Sequence, residues 1–140
     1  MAYVTHDEGL EALLEMLFAL GTQPTNFFIG LCGEVLAQED ALADIATEPS
    51  GNGYNRQQVA AGTGVSISKD VGTGIWWCEF DEVTFTADGG AWPEVTRGFV
   101  ATSSDNSGLL ICSGDIQAIE LGDGSSFKCT ALAGIRNPAA

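Results

Sequence analysis

Short apolar runs separated by glycine-centred turns constrain this chain more than any other feature. From Asn26 onward, stretches rich in β-branched and aromatic residues are broken by Glu48-Pro-Ser-Gly-Asn-Gly53, Asp88-Gly-Gly90, Ser103-Ser-Asp-Asn-Ser-Gly108 and Asp123-Gly124. A helix does not persist across such breaks, whereas a strand of about four to eight residues fits between them. Apolar runs lie at 26–32, 54–60, 65–68, 74–80, 83–85, 94–101, 109–113, 116–121 and 127–132, and seven or eight short strands are predicted among them. The turns at 103–108 and 123–124 read as hairpin connections. Eighteen glycines against four prolines fit this reading, since tight turns draw on glycine's freedom at positive φ. The predicted fold class is mainly β, a β-sandwich or jelly-roll-like domain, with a partly closed barrel as the second choice.

One segment departs from the pattern. Leu10, Leu13, Leu14, Leu17 and Phe18 recur at helical spacing, with Asp7, Glu8, Glu11 and Glu15 mostly opposite. An amphipathic N-terminal helix is therefore expected over residues 5–20, with Thr5 and Glu8 as a capping box and Gly21 as the stop. Its leucine stripe packs on the sheet or docks on a neighbouring subunit. A chain of 140 residues suits a single domain, read as helix 5–20, β region 26–134 and a loose tail at 135–140. Residues 33–47 carry four acids and no base and read as an exposed excursion.

Charge narrows the partners. Nineteen acids face five bases, Arg56, Lys69, Arg97, Lys128 and Arg136, for a net charge of −14. Nucleic acid and anionic membrane surfaces attract clustered cations, and none are clustered here, so neither is an expected partner. The acidic N-terminus does not resemble a signal peptide, and no run approaches the apolar length of a membrane span. Cys32, Cys78, Cys112 and Cys129 lack the close spacing of a zinc or redox motif and read as buried free thiols, in keeping with assembly in a reducing cytoplasm.

No catalytic constellation emerges. Nucleophilic catalysis by serine or cysteine generally needs a nearby base, and His6 is the one histidine. The Gly-Thr-Gly pairs at 62–64 and 72–74 lack the third glycine and the lysine of phosphate-binding loops. No catalytic residue and no cofactor is expected. Calcium at 34–48 or 103–106 is the remaining option, although neither follows an EF-hand spacing. Trp76 and Trp77 are adjacent, so a strand turns them to opposite faces, one inward and one toward a contact. With Leu13, Leu17, Trp92 and Arg97 they make up the candidate interface.

The ordered motifs carry a family resemblance. Phe27-Phe-Ile-Gly-Leu31 followed by Thr47-Glu-Pro-Ser-Gly-Asn-Gly-Tyr-Asn-Arg56 resembles small tailed-phage virion structural proteins, in which a "YVGLF" strand precedes "TEPSGGGYAR". Val83-Thr-Phe85 and Trp92-Pro-Glu-Val-Thr-Arg-Gly-Phe-Val-Ala101 continue the likeness, the latter similar to "WGTVTHFGIFDA". Gly108-Leu-Leu-Ile-Cys-Ser-Gly114 and Gly122-Asp-Gly-Ser-Ser-Phe127 echo "GNLLAWG" and "GDTFSF". Arg97 stands where histidine is usual, and 33–47 is more acidic than in the pattern. Members are labelled tail-fibre-like or head-decoration-like, so the resemblance implies a structural role in the virion with no catalytic residues. The leading expectation is a capsid decoration or cement protein, associated with itself, as a trimer, and with the major capsid protein or tail proteins. A tail, fibre-base or baseplate accessory is the alternative. A carbohydrate-binding host-recognition module, resting on the tryptophans, is the second alternative.

Overall fold

A computed structural model describes residues 3–136. Its elements are β1 (Tyr3–Thr5), α1 (Asp7–Leu17), β2 (Asn26–Cys32), a 3-10 turn (Leu42–Asp44), β3 (Gln57–Ala60), β4 (Val65–Lys69), β5 (Ile75–Phe80), β6 (Val83–Thr86), β7 (Val95–Ala101), β8 (Leu110–Ile119), β9 (Ser126–Cys129) and β10 (Leu132–Arg136). They form three antiparallel sheets, ordered β1-β8-β7-β2-β3, β10-β5-β4 and β6-β9. The mainly β prediction with one N-terminal helix is thus met. No helix among the described residues is long and apolar enough to cross a membrane.

The five-stranded sheet is buried on both faces, and the period-two alternation of its strands sorts the side chains. Ile29, Leu31, Val59, Val100 and Cys112 join Phe80, Val83 and Phe85 from the smaller sheets in the main core. Cys32, Phe99, Ala101 and Leu110 point the other way and meet Leu36, Leu42 and Ile45. Those last three come from the acidic 33–47 segment, which is therefore a cover over the sheet rather than an exposed excursion. Its acids stay outside the second core, which Leu36, Leu42 and Ile45 fill, while Val35 is exposed. Gly30 makes the close packing beneath this cover possible: a Cβ there would lie 2.3 Å from the Phe99 ring.

Several boundaries differ from the sequence reading, each for a local reason. A strand, β1, precedes the helix and pairs with β8, so Thr5 does not cap α1; its hydroxyl donates to the Gly134 carbonyl at 3.3 Å. His6 holds the N-cap position without a side-chain cap bond, and Glu8 reaches inward to accept from the amides of Leu110 and Leu42. The helix spans Asp7–Leu17 rather than 5–20, ending in a turn where Ala19 takes φ 59°. The runs at 109–113 and 116–121 are one strand, β8, because β7 stays paired across Gly114 and Asp115. The Asp123-Gly124 turn closes no hairpin: the Gly124 amide donates to the Ala87 carbonyl, and β9 pairs with β6. β10 runs to Arg136, so the tail expected from 135 is strand at its start, and its remainder, 137–140, lies outside the described residues.

Candidate functional site

A groove of about 710 Å³ lies between α1 and the β4-β5-β10 sheet. The register explains its chemistry. Antiparallel alternation places Val65, Ile67 and Lys69 of β4, Trp76, Cys78 and Phe80 of β5, and Ala133 and Ile135 of β10 on one face. Phe80, edge-on to Phe27 with ring centroids 5.4 Å apart, closes the deep end. Across the gap stand Leu10, Leu13, Met16 and Leu17 of α1, whose Gly9 and Ala12 are buried, Gly9 close against Ile111 of β8. A Cβ on Gly9 would come within 2.6 Å of the Ile111 carbonyl oxygen, so glycine sets the helix-to-sheet distance. None of the side chains lining the groove is charged, on a chain with 19 acids.

Four of the six candidate interface residues meet at this groove: Leu13, Leu17, Trp76 and Trp77 all border it. Leu17 is 72% exposed and Trp76 53%. Trp77 takes the opposite face of β5, where its ring lies across Gly134. Trp92 and Arg97 belong elsewhere. Trp92 is 3% exposed, set edge-on against Tyr54 and Phe85 with Nε1 donating to the Asn52 carbonyl at 2.8 Å. Arg97, 4% exposed, is equally internal. Of the three tryptophans only Trp76 presents a broadly exposed ring, with the Lys69 ammonium 5.8 Å from its centroid, so no exposed aromatic pair forms a sugar platform. Ile67 and Ile135 were not among the candidates. The signal for both was alternation, since each is an apolar residue between small or polar neighbours on a strand.

The lone histidine does meet a serine, but inside the fold. His6 Nε2 lies 2.8 Å from Ser113 Oγ, which also accepts from Arg97 Nη1 at 3.2 Å; Arg97 Nη2 in turn donates to Asp115. Ser113 Oγ has a lone pair for Arg97 and another for an Nε2 proton, so the contact suits either tautomer of the ring. Nδ1 faces the Ala37 and Gln38 carbonyls without closing a well-formed hydrogen bond to either. Burial holds the His6 pKa below its ordinary value. His6 is fully buried, and the crevice bordered by Ser113 is only about 60 Å³, so this array holds β1 and α1 to β8 and offers no substrate access.

A second polar array accounts for the Thr47-to-Arg56 motif. Arg56 grips Glu48 with two bonds, Nε to Oε1 at 2.8 Å and Nη2 to Oε2 at 2.7 Å. Its remaining donors take the carbonyls of Ser103 and Asp105 and the Asn106 side chain, and its plane lies 5.1 Å from the Phe99 centroid. Tyr54 donates to Glu48 at 2.7 Å and accepts from the Leu31 amide at 2.9 Å, and burial pushes its phenol pKa upward. The guanidinium thus occupies the oxygens that a calcium ion at 103–106 would need. At 34–48, Glu34 accepts from the Ala46 amide and Glu48 serves Arg56. Among the described residues no three His, Cys, Asp or Glu side chains converge as a metal site requires. All four cysteines are free thiols, and burial raises the Cys32 pKa to about 11 and that of Cys112 to about 12.

The sequence model of one protein family, described as podophage GP4 fiber I protein gp80, matches residues 8–134. The match begins in α1 and ends in β10, so it takes in both walls of the groove. No curated protein matches the chain.

Proposed function

We propose that this chain, which belongs to the podophage GP4 fiber I protein gp80 family, is a non-enzymatic tail or fibre component that works by docking through its charge-free groove. The family description favours the tail and fibre alternative over capsid decoration. The observation that carries the docking reading is the contrast between an acidic surface and a groove lined without one charged side chain. Buried apolar surface contributes about 25 cal/mol per Å² and is not weakened by salt, as a permanent particle contact requires. The buried His6–Ser113 pair supports a role without catalysis, since neither group faces a cavity that admits a substrate. The chain would fold and assemble in the host cytoplasm, where its thiols stay reduced.

Locating the chain in a density map of the whole particle tests the reading. Density at the tail or its fibres is expected. Density spread over the head lattice would return the capsid-cement reading, and absence from purified particles would overturn both.

A further inference from the structure

Resting on the docking reading above, we propose that the groove receives a second copy of this chain, with the outer ridge of α1 from one copy seated between α1 and the β4-β5-β10 face of the other. The helix carries more apolar surface than its own sheet uses. Gly9 and Ala12 face β8, and Leu10, Leu13 and Leu17 face the groove. Leu14 and Phe18 continue the stripe beyond it, outside the groove, and stand exposed. Each copy therefore presents both an uncharged hollow and, beside it, an apolar ridge.

Area and charge both fit this occupant. Nine large apolar side chains along the two walls and the ridge are exposed, from Leu10 at 37% to Leu20 at 80%. Together they amount to about five whole side chains, on the order of 800 Å², which is one partner's share of a standard interface. Among the described residues, Arg56, Arg97 and Lys128 each have a carboxylate partner, whereas Lys69 has none and stands over Trp76 at the groove. Glu11 and Glu15 lie along the same helix as the ridge, and a seated copy brings them toward Lys69. A ridge flanked by acids thus meets a hollow edged by Lys69. The same patch on both partners closes a two-fold pair, and ridge-to-hollow contact passed around a ring closes a trimer.

Sedimentation of the full chain at about 0.1 M and about 1 M salt tests this, together with two variants on exposed positions, Leu14→Glu/Phe18→Glu on the ridge and Ile67→Glu on the hollow. The wild type should associate, more tightly at high salt. Each variant should weaken association at least about tenfold while keeping the wild-type melting temperature and circular dichroism. Mixing the two variants should restore part of the association, because each supplies the half that the other lacks. A wild type that stays monomeric at both salts overturns self-docking, as does association that neither variant weakens. If the monomeric chain is still found at the fibre, the tail reading stands and another virion protein fills the groove. If the chain self-associates as described but is absent from the fibre, the tail reading fails and self-docking stands.

Discussion

The two ends of the five-stranded sheet solve the same problem in opposite ways. At the Arg56 end, polar groups are brought inside and every donor of the guanidinium finds an acceptor. Phe99 and the acidic 33–47 cover then pack over them. At the α1 end, two apolar walls face each other across about 710 Å³ and hold no charge between them. A buried polar network fully satisfied within one chain fixes one arrangement of that chain. An apolar groove left open is free to take a complement from outside, which is the role proposed for it. The closed end is satisfied within the chain, and the open end is not.

The sharpest way to break the comparison is to open the closed end. Arg56→Ala leaves Glu48 charged, with 19% exposure and only Tyr54 beside it, and takes the donor from the Ser103 carbonyl and from the Asn106 side-chain oxygen. The expected loss is about 3–5 kcal/mol, read by urea unfolding. Arg56→Lys should recover little, since an ammonium cannot reproduce the two-pronged grip on Glu48. A loss below about 1 kcal/mol would mean that this end is held by apolar packing alone.

Much of the closed end was legible in the sequence as motif but not as mechanism. Thr47 to Arg56 stood out as a turn and a family signature, yet nothing in its spacing says that Arg56 reaches across to 103–106. That contact joins residues about fifty positions apart, which local pattern does not encode. The acidic segment misled for a related reason: four acids masked Leu36, Leu42 and Ile45, which are too irregularly spaced to show a period of two or of 3.6. At the open end the local rules went further. Helical spacing gave Leu13 and Leu17, and strand alternation gave the opposed Trp76 and Trp77. What they could not give was that these four meet at one groove, because that depends on β10 pairing with β5 and on Gly9 setting the helix close to β8.

A smaller effect is expected at Gly30. Alanine there drives a methyl into the Phe99 ring, which is itself held between the cover and Arg56 and has nowhere to move. Overpacking of this kind costs about 1–3 kcal/mol. The second change Phe99→Leu should relieve part of it, measured as a non-additive pair in a double-mutant cycle. Full additivity would show that the ring moves aside freely and that the closed end is looser than the contacts imply.

The smallest effect tests what joins the two ends. His6 sits where β1 passes into α1, so it fixes the helical wall of the open groove to the closed sheet through Ser113 and Arg97. Burial holds it neutral in the fold, with a pKa below the ordinary 6.5, while the unfolded chain titrates near that value. Below about pH 6.5 the unfolded chain therefore takes up the proton first. The stabilisation is whole above that pH and declines as pH falls toward the folded-state pKa, by at most about 1.4 kcal/mol per pH unit. The Asp40 charge and the nearby carbonyls temper the decline, whereas Arg97 repels the imidazolium and steepens it. Amide exchange at pH 7.5 and pH 5.5 should show α1 and β1 losing protection while β2, β3 and β7 keep theirs. His6→Gln, which carries no titrating group, should flatten the pH slope of α1 and leave the residual carboxylate effects in place. Equal loosening of both ends in the wild type would show that His6 does not join a movable wall to a fixed one, and the contrast between the two ends would reduce to a difference in packing alone.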